Sequence, residues 1–458
     1  VHAEEPSEYE VSISHSNAGS GQQDLQYASS EVMAVSASGV WTATGSMLVA
    51  RRDHTATLLT DGRVLIVGWF TTVAELYDPA TRMFKPTGNT LHSHGQQSTA
   101  TRLLDGRVLI AGGTQALTFA EIYDPASGIF SATGNLNAPH FAHTATLLKD
   151  GRVLLAGGAD DLQTGVITTA IAELYDPAAG TFSLTGSLNT DRDGSSSVLL
   201  QDGRVLIVGG TVTTTPGNGV CTDTAELYDP TSGIFHRTGN MTEPRCDLLF
   251  GQGLVLKNGK ALIVGGLSNQ SAELFDPMTG NFGATGTMAL RQFTATSILL
   301  SNGQVFVTGG FSAIGPVTTN SVELYDPTSG TFAVTASMSA ARQQHTATLL
   351  LNGQVLVTGG GFDDGPELSS AELFTLLNPI ITSASIDHKN LIVMGERFDS
   401  GAVILLNEGA QKTLHDDQNP NTLIGKKVGR KIDSGQTVNL QVRNPNGTLS
   451  QGFSFTRP

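Results

Sequence analysis

The sequence predicts an all-β protein: a seven-bladed β-propeller over residues 30–376, followed by a small β-sandwich over residues 377–458. Three observations carry this expectation. First, an acidic turn recurs seven times, as Glu75-Leu76-Tyr77-Asp78-Pro79, Glu121 to Pro125, Glu173 to Pro177, Glu226 to Pro230, Glu273 to Pro277, Glu323 to Pro327 and the truncated Glu372-Leu373-Phe374. Second, successive glutamates lie 46, 52, 53, 47, 50 and 49 positions apart, the period of a radial or stacked array. Third, each copy holds four short β-type runs and no helical periodicity.

The copy that begins at His143 shows how one unit folds. His143 to Leu148 is apolar and rich in β-branched residues, and Lys149-Asp150-Gly151 is a hairpin turn. Arg152 to Ala156 forms the second strand and stops at Gly157-Gly158, where missing side chains permit positive φ. A loop leads to a third strand, Ile171 to Tyr175, which ends at Asp176-Pro177. Thr181 to Thr185 is the fourth. One unit cannot bury both of its faces, so neighbours must cover them, and a closed ring covers them all.

Ring closure is legible at the ends of the array. The fourth-strand aromatics are Trp41, Phe84, Phe130, Phe182, Phe235, Phe282 and Phe332. The last copy lacks one and the first precedes any complete copy, so the strand around Trp41 is expected to complete the blade built from His345 to Phe374. Ser30 to Val35 also reads as a strand that could compete for that blade. Residues 1–29 read as a polar arm.

The Gly-Gly after strand two, the E-L-Y-D-P turn and the fourth-strand aromatic resemble the kelch family, in the bacterial form related to the galactose oxidase propeller. The resemblance covers roughly residues 30–376, with departures at Gly68-Trp69 and at Gly251-Gln252-Gly253. After Asn378-Pro379 the period stops. Leu391 to Phe398, Gly401 to Asn407 and Val438 to Gly447 read as short strands, and V-x-G-x-x-F with a late N-P-x-G resembles an IPT/TIG immunoglobulin-like domain. Such a domain implies a spacer or an interaction surface.

Composition narrows the partners. A net charge of −15 argues against a nucleic-acid backbone. No apolar run is long enough to span a bilayer. The opening Val1-His2-Ala3, followed by polar residues, fits a mature exported chain, so an extracellular, periplasmic or cell-surface location is expected. Cys221 and Cys246 fall in loops that open on one face of adjacent blades, which makes a disulfide geometrically sensible; free thiols in a reducing compartment are the alternative.

The galactose oxidase resemblance implies a copper radical site of two tyrosines, one linked to cysteine, and two histidines. Here Tyr77, Tyr123, Tyr175, Tyr228 and Tyr325 share a third-strand slot with Phe275 and Phe374, so the ring reads as packing. Tyr9 and Tyr27 fall in the arm. The repeated acids also read as structural: each Asp before proline can close a turn, and the glutamates can satisfy polar groups between strands. No catalytic residue and no metal ligand is assigned, and no cofactor is expected beyond weak Ca²⁺ at Asp160, Asp161, Asp363, Asp364 and Glu367.

A binding site is expected where copies differ, on loops held by the ring. Long connections between strands two and three occur in copies three, four, six and seven, while the short one in copy one carries Trp69 and Phe70. The segments leading into strand one share that face. The candidate surface therefore joins Arg51, Arg52, His54, Trp69, Phe70, His140, His143, Asp160, Asp161, Asp191, Arg192, Arg291, Arg342, His345, Asp363, Asp364 and Glu367. His54, His143 and His345 occupy one equivalent position; three imidazoles invite a zinc reading, but hydrogen bonding at strand starts is the stronger expectation. The sequence thus points to an exported, non-enzymatic protein that recognises a protein or glycan. A carbohydrate-active oxidase or lyase and a structural subunit of a surface assembly are the alternatives.

Overall fold

A computed structural model describes residues 39–458 except 114–117, 163–164, 214, 216–217, 249–252, 267–269, 290–293, 313–316, 363–364, 400, 417–418 and 445–447. The arm, the 30–35 segment, Arg291, Asp363 and Asp364 lie outside the described residues. The architecture is all-β and of β-propeller type.

The first sheet comprises Thr55–Leu58, Val64–Val67, Glu75–Asp78 and Met83–Pro86, in that order across the sheet. Five further four-stranded sheets repeat it, beginning at Thr99, Thr144, Ser196, Gly253 and Thr296. The seventh takes Thr346–Leu349, Val355–Thr358 and Ala371–Leu376 from one end of the array and Gly39–Ala43 from the other, with Trp41 opposite Phe374. Trp41 Nε1 also donates to the Ala336 carbonyl at 2.8 Å, which ties the early strand to a distant part of the chain.

Apolar side chains pack between sheets. Val64, Ile66, Tyr77 and Phe84 of the first sheet share a core with Leu356, Ala371 and Leu373 of the seventh. Equivalent clusters join every other consecutive pair. First strands adjoin one another in turn, and Thr346–Leu349 returns to Thr55–Leu58. Second strands such as Val64–Val67 are buried along their whole length, because neighbouring sheets cover both faces.

The recurring polar residues form ties. Tyr77, Tyr123, Tyr175, Tyr228 and Tyr325 hydroxyls bond threonines of the preceding copy, from Thr44 to Thr285, at 2.7–2.9 Å. Where Phe275 replaces tyrosine, Thr238 keeps the bond to the Gly280 carbonyl that threonines such as Thr133 also make to Gly180 O. The hydroxyl is thus an inter-sheet fastener rather than a spare group, which refines the sequence reading of this slot. Each described Asp-Pro aspartate closes its turn; Asp78 Oδ1, for example, accepts from Ala80 N at 2.9 Å.

Three of the connections expected as loops contain two-stranded ribbons: Ala159–Leu162 with Gly165–Thr168, Thr211–Thr213 with Gly219–Cys221, and Phe311–Ser312 with Val317–Thr318. Their extra length is accommodated by backbone pairing, which satisfies groups that an open loop would leave to water.

From Ile380 onward, two four-stranded sheets share one core. One contains Ile380–Asp387, Asn390–Glu396, Asn419–Gly425 and Thr413–Asp416; the other contains Gly409–Ala410, Val403–Leu406, Thr437–Arg443 and Phe453–Thr456. Leu391, Val393 and Leu423 from the first meet Ile404, Leu440, Val442 and Phe455 from the second.

Candidate functional site

The segment before each first strand has a fixed grammar. Its first member is a buried arginine or histidine: Arg51, His94, His140, Arg192, Arg245 or Arg342 in the described copies. Arg51 Nη2 meets Glu75 Oε1 at 3.0 Å, and Arg192, Arg245 and Arg342 pair likewise with Glu226, Glu273 and Glu372. His94 and His140 take the same place beside Glu121 and Glu173, each at 3.2 Å. The glutamates also accept backbone hydrogen bonds: Glu226 Oε2 accepts from Asn189 N at 2.7 Å and Oε1 from Thr190 N at 2.9 Å. Burial alone would raise the Glu121 and Glu173 carboxyls, but hydrogen bonds from His94 or His140 and from backbone amides outweigh it and hold both low.

This grammar corrects the expected binding face. Arg51, Arg192, Arg342 and His140 have no exposed surface and cannot meet a partner directly. They hydrogen-bond the glutamate of their own sheet and carbonyls such as Gly68 O, Gly209 O, Gly359 O and Gly157 O. Their variation between arginine and histidine looked like a site from sequence, but it is interchange within one structural role.

The next conserved slot in the grammar is conformational. Asp53, Gln97, Ala142, Gly194, Asp247, Thr294 and Gln344 all have φ between 48° and 56°. Backbone bonds link these segments around the ring: Asp53 N donates to Gln344 O, and Gly194 N to Ala142 O, both at 3.0 Å. A left-handed residue ahead of each first strand redirects the chain into that strand.

Here lies a cavity of about 240 Å³. Asp53, Gln97, His54, His143 and His345 line it, together with the hydroxyls of Thr55, Ser98, Thr99, Ser297 and Thr346. Asp53 is 3% exposed, and its Oδ1 has no hydrogen-bond partner. Burial raises its carboxyl to about 7, against a smaller lowering by Arg52. Asp193, on another segment of this face, is also pushed to about 7, by burial and then by the Asp247 carboxylate, and does not line the cavity.

The three equivalent histidines reach the cavity wall as neutral imidazoles. His54 shares a hydrogen bond with Thr358 Oγ1, and His143 with Thr99 Oγ1, each at 2.9 Å. Burial, then the Arg51 and Arg342 charges, lowers His54 to about 3; burial, then His140, does the same for His143. His345 is also held well below its ordinary value, chiefly by burial. Two of the three thus bond the adjacent sheet, as expected of strand starts. No group of three His, Cys, Asp or Glu side chains able to hold a metal occurs among the described residues.

At the rim, Arg52 lies 4.8 Å above the Trp69 ring and 3.8 Å from Glu367 Oε1. Phe70 is exposed and packs against Trp69 with ring centres 5.2 Å apart. Asp191 accepts from Thr168 Oγ1, and Asp160 is half-buried on a ribbon strand. Asp161 pairs in that ribbon through Val166. The structure therefore brings Arg52, Trp69, Phe70 and Glu367 together, while Asp160 and Asp161 lie on the ribbon Ala159–Leu162.

Cys221 and Cys246 form a disulfide with Cα atoms 5.1 Å apart, joining the fourth-copy ribbon to the segment leading into the fifth sheet. Its 25-residue separation leads us to expect that reduction destabilises the chain by about 3 kcal/mol, measured as a lower urea midpoint under reductant. A Cys221→Ser/Cys246→Ser chain should show the lower midpoint without reductant.

Asp53 was missed by the sequence reading. The available signal was the residue after two arginines, at a slot filled elsewhere by Gln97, Ala142 and Gly194. Neither its burial nor its lack of a partner can be read from that pattern.

Comparison with known proteins places this geometry in context. The Kelch motif family matches residues 294–339. A fungal copper-containing alcohol oxidase of the AA5 family superposes with a TM-score of 0.61 at 16% identity, covering 92% of this chain and 99% of that one. YjhT superposes with a TM-score of 0.51 at 14% identity, covering 64% of this chain and 99% of its own. No curated protein matches the sequence. The relationship to the kelch and galactose oxidase-like fold is distant and partial, and at these identities the likeness is one of fold.

Two expectations are corrected by this finding. The leaning toward a non-enzymatic protein does not stand, because an alcohol oxidase is built on the same fold across nearly the whole chain. The expectation of no cofactor falls with it, since that oxidase was solved with copper. The copper chemistry itself does not fit the described residues here. Five tyrosines are locked into inter-sheet bonds with threonine, both cysteines are joined to each other, and the channel histidines bond threonines of the adjacent sheet or stand apart. We derive no step through copper.

Proposed function

We propose that the protein is a carbohydrate-active enzyme whose reaction takes place in the channel-mouth cavity by proton transfer, with Asp53 as the general base. The supporting observation is the buried Asp53 carboxyl, unpartnered at Oδ1, in a cavity lined also by serines, threonines, three neutral imidazoles, Gln97 and two alanines. A carboxyl near neutrality changes protonation at little cost, which suits a base that takes the proton from a hydroxyl-bearing carbon next to a sugar carbonyl; the proton is then returned at the neighbouring carbon, or the oxygen on the next carbon leaves as a hydroxyl or alcohol. Ser98, Thr99, Thr55 and Thr346 supply hydroxyls able to orient such a substrate, and Gln97 adds an amide.

In this reading the seven sheets form a closed seven-bladed propeller over residues 30–376, of kelch type, and residues 377–458 form an IPT/TIG-like immunoglobulin sandwich that spaces or docks the enzyme. The disulfide supports an oxidising compartment, consistent with an extracellular, periplasmic or cell-surface setting. No helix among the described residues is long and apolar enough to cross a membrane. Exposed Val220 and Val317 on the ribbons, and Phe362 nearby, support a further role of the loop face in engaging a protein or glycan partner within a surface assembly.

The test is turnover. Purified protein is incubated with neutral and acidic oligosaccharides, and new unsaturated or rearranged products are followed by nuclear magnetic resonance. Product formed by the parent and absent with Asp53→Asn supports the reading; equal product from both removes Asp53 from the reaction.

A further inference from the structure

Seven repeats provide an internal control for Trp69. After the second strand, the other six sheets place glycine at this position: Gly113, Gly158, Gly210, Gly266, Gly310 and Gly360, all with φ between 88° and 115°. In four of them an added side chain would strike a carbonyl of the same copy's entry segment: that of His94 at Gly113, and at 2.6 Å Phe141 O, 2.4 Å Asp193 O and 2.6 Å Gln343 O at the others. Trp69 nevertheless occupies the left-handed region at φ 65°, and Phe70 follows at φ 47°. Two successive bulky aromatics in that region are disfavoured, and strain of this kind persists where surrounding structure holds it for a purpose.

The surroundings are adapted to it. The residue that matches Phe141, Asp193 and Gln343 in the first copy is Arg52, and the entry segment of the next sheet carries Gly95, at φ 63°. Trp69 N donates to Gly95 O at 3.0 Å, one residue beyond the carbonyls of Arg192 and Arg245 that accept from Gly158 and Gly210. The indole is then braced by the Arg52 guanidinium, whose charge is answered by Glu367. Arg52 is the immediate neighbour of Asp53, so this aromatic pair stands beside the cavity. Gly68, preceding Trp69, packs against His54 and Ser98 of the cavity wall.

We infer that Trp69 and Phe70, with Arg52 and Glu367, form a rim subsite that stacks one ring of a neutral oligosaccharide next to the Asp53 cavity. A pyranose presents an apolar C–H face and a hydroxyl edge. The aromatic pair offers apolar surface for the former, and the guanidinium and carboxylate offer a donor and acceptors for the latter. The arginine is already matched by a carboxylate, so the subsite favours an uncharged ring over an acidic one. The biological sense of the subsite rests on the catalytic reading of the cavity, but its binding can be measured separately.

The experiment is calorimetric titration of the full chain with neutral gluco-, galacto- and manno-oligosaccharides, alongside urea unfolding. Trp69→Gly, which copies the other six sheets, should weaken binding of the preferred sugar by about tenfold or more while leaving the unfolding midpoint equal or higher. Trp69→Phe should retain part of the affinity. Asp53→Asn should bind as the parent does and fail to turn the sugar over. Unchanged affinity in Trp69→Gly, no binding of any of these sugars by the parent, or a markedly lower midpoint in Trp69→Gly would overturn the subsite. Should Trp69→Gly lose binding while Asp53→Asn keeps full turnover, the subsite stands and the assignment of Asp53 falls.

Discussion

Replacing Asp53 with asparagine is expected to lower turnover of the carbohydrate substrate by about 10²- to 10⁴-fold, the range of a lost general base. The carboxyl is buried, lacks a partner at Oδ1 and lines the cavity, so no neighbouring carboxylate is placed to substitute for it. A base must be ionised, so parent activity should rise as pH increases through about 7 and then level off. Asparagine should erase that limb of the profile. Stability should move the other way. The folded carboxyl holds its proton from the ordinary 3.8 up to about 7, whereas the unfolded one releases it near 3.8. The folded state therefore loses ground to the unfolded state as pH rises across that window, by on the order of 4 kcal/mol. Denaturant midpoints of Asp53→Asn and parent should diverge between those pH values, with the variant gaining as pH rises, and run parallel above about 7.

The second large effect concerns the buried ion pairs. Glu226→Ala should destabilise the chain by about 3–5 kcal/mol, because it strands the fully buried Arg192 guanidinium without its carboxylate. It also removes the acceptor used by the amides of Asn189 and Thr190. Arg204→Ala makes the contrasting case. Its partner Asp202 is partly exposed, and this pair should contribute at most about 1 kcal/mol by charge alone. Arg204 Nη2 also reaches the Pro277 carbonyl of the next turn at 3.1 Å, so a small loss is expected rather than none. Urea unfolding of both variants at neutral pH separates the two magnitudes.

Much of the fold could be read from the repeats because each copy reports on the others. The missing fourth strand after Phe374 and the extra one at Trp41 announced their pairing, and the strands meet in register. Phe275 in a tyrosine slot marked the ring as packing, although the hydroxyl's bond to a preceding threonine depends on a contact between copies that spacing does not encode. The site was less legible. Arg51, Arg192 and His140 vary in a way that resembles specificity, yet all three serve a buried glutamate. Their partners lie about 30 residues away, on the third strand, and only the folded sheet brings them together. Asp53 was passed over, since its importance comes from burial and from the lack of a partner at Oδ1. Trp69 was visible as a break in the Gly-Gly rule, but its left-handed backbone and the answering Gly95 required coordinates.

The central claim is that the cavity around Asp53 is where this chain does chemistry. It is tested most directly by incubating parent and Asp53→Asn with a broad oligosaccharide set at pH 8 (about one unit above the Asp53 transition) and following products by nuclear magnetic resonance. The account predicts product from the parent on at least one neutral sugar and little or none from the variant, with both chains equally folded. Equal product from the two, or no product from the parent on any member of the set, would contradict it.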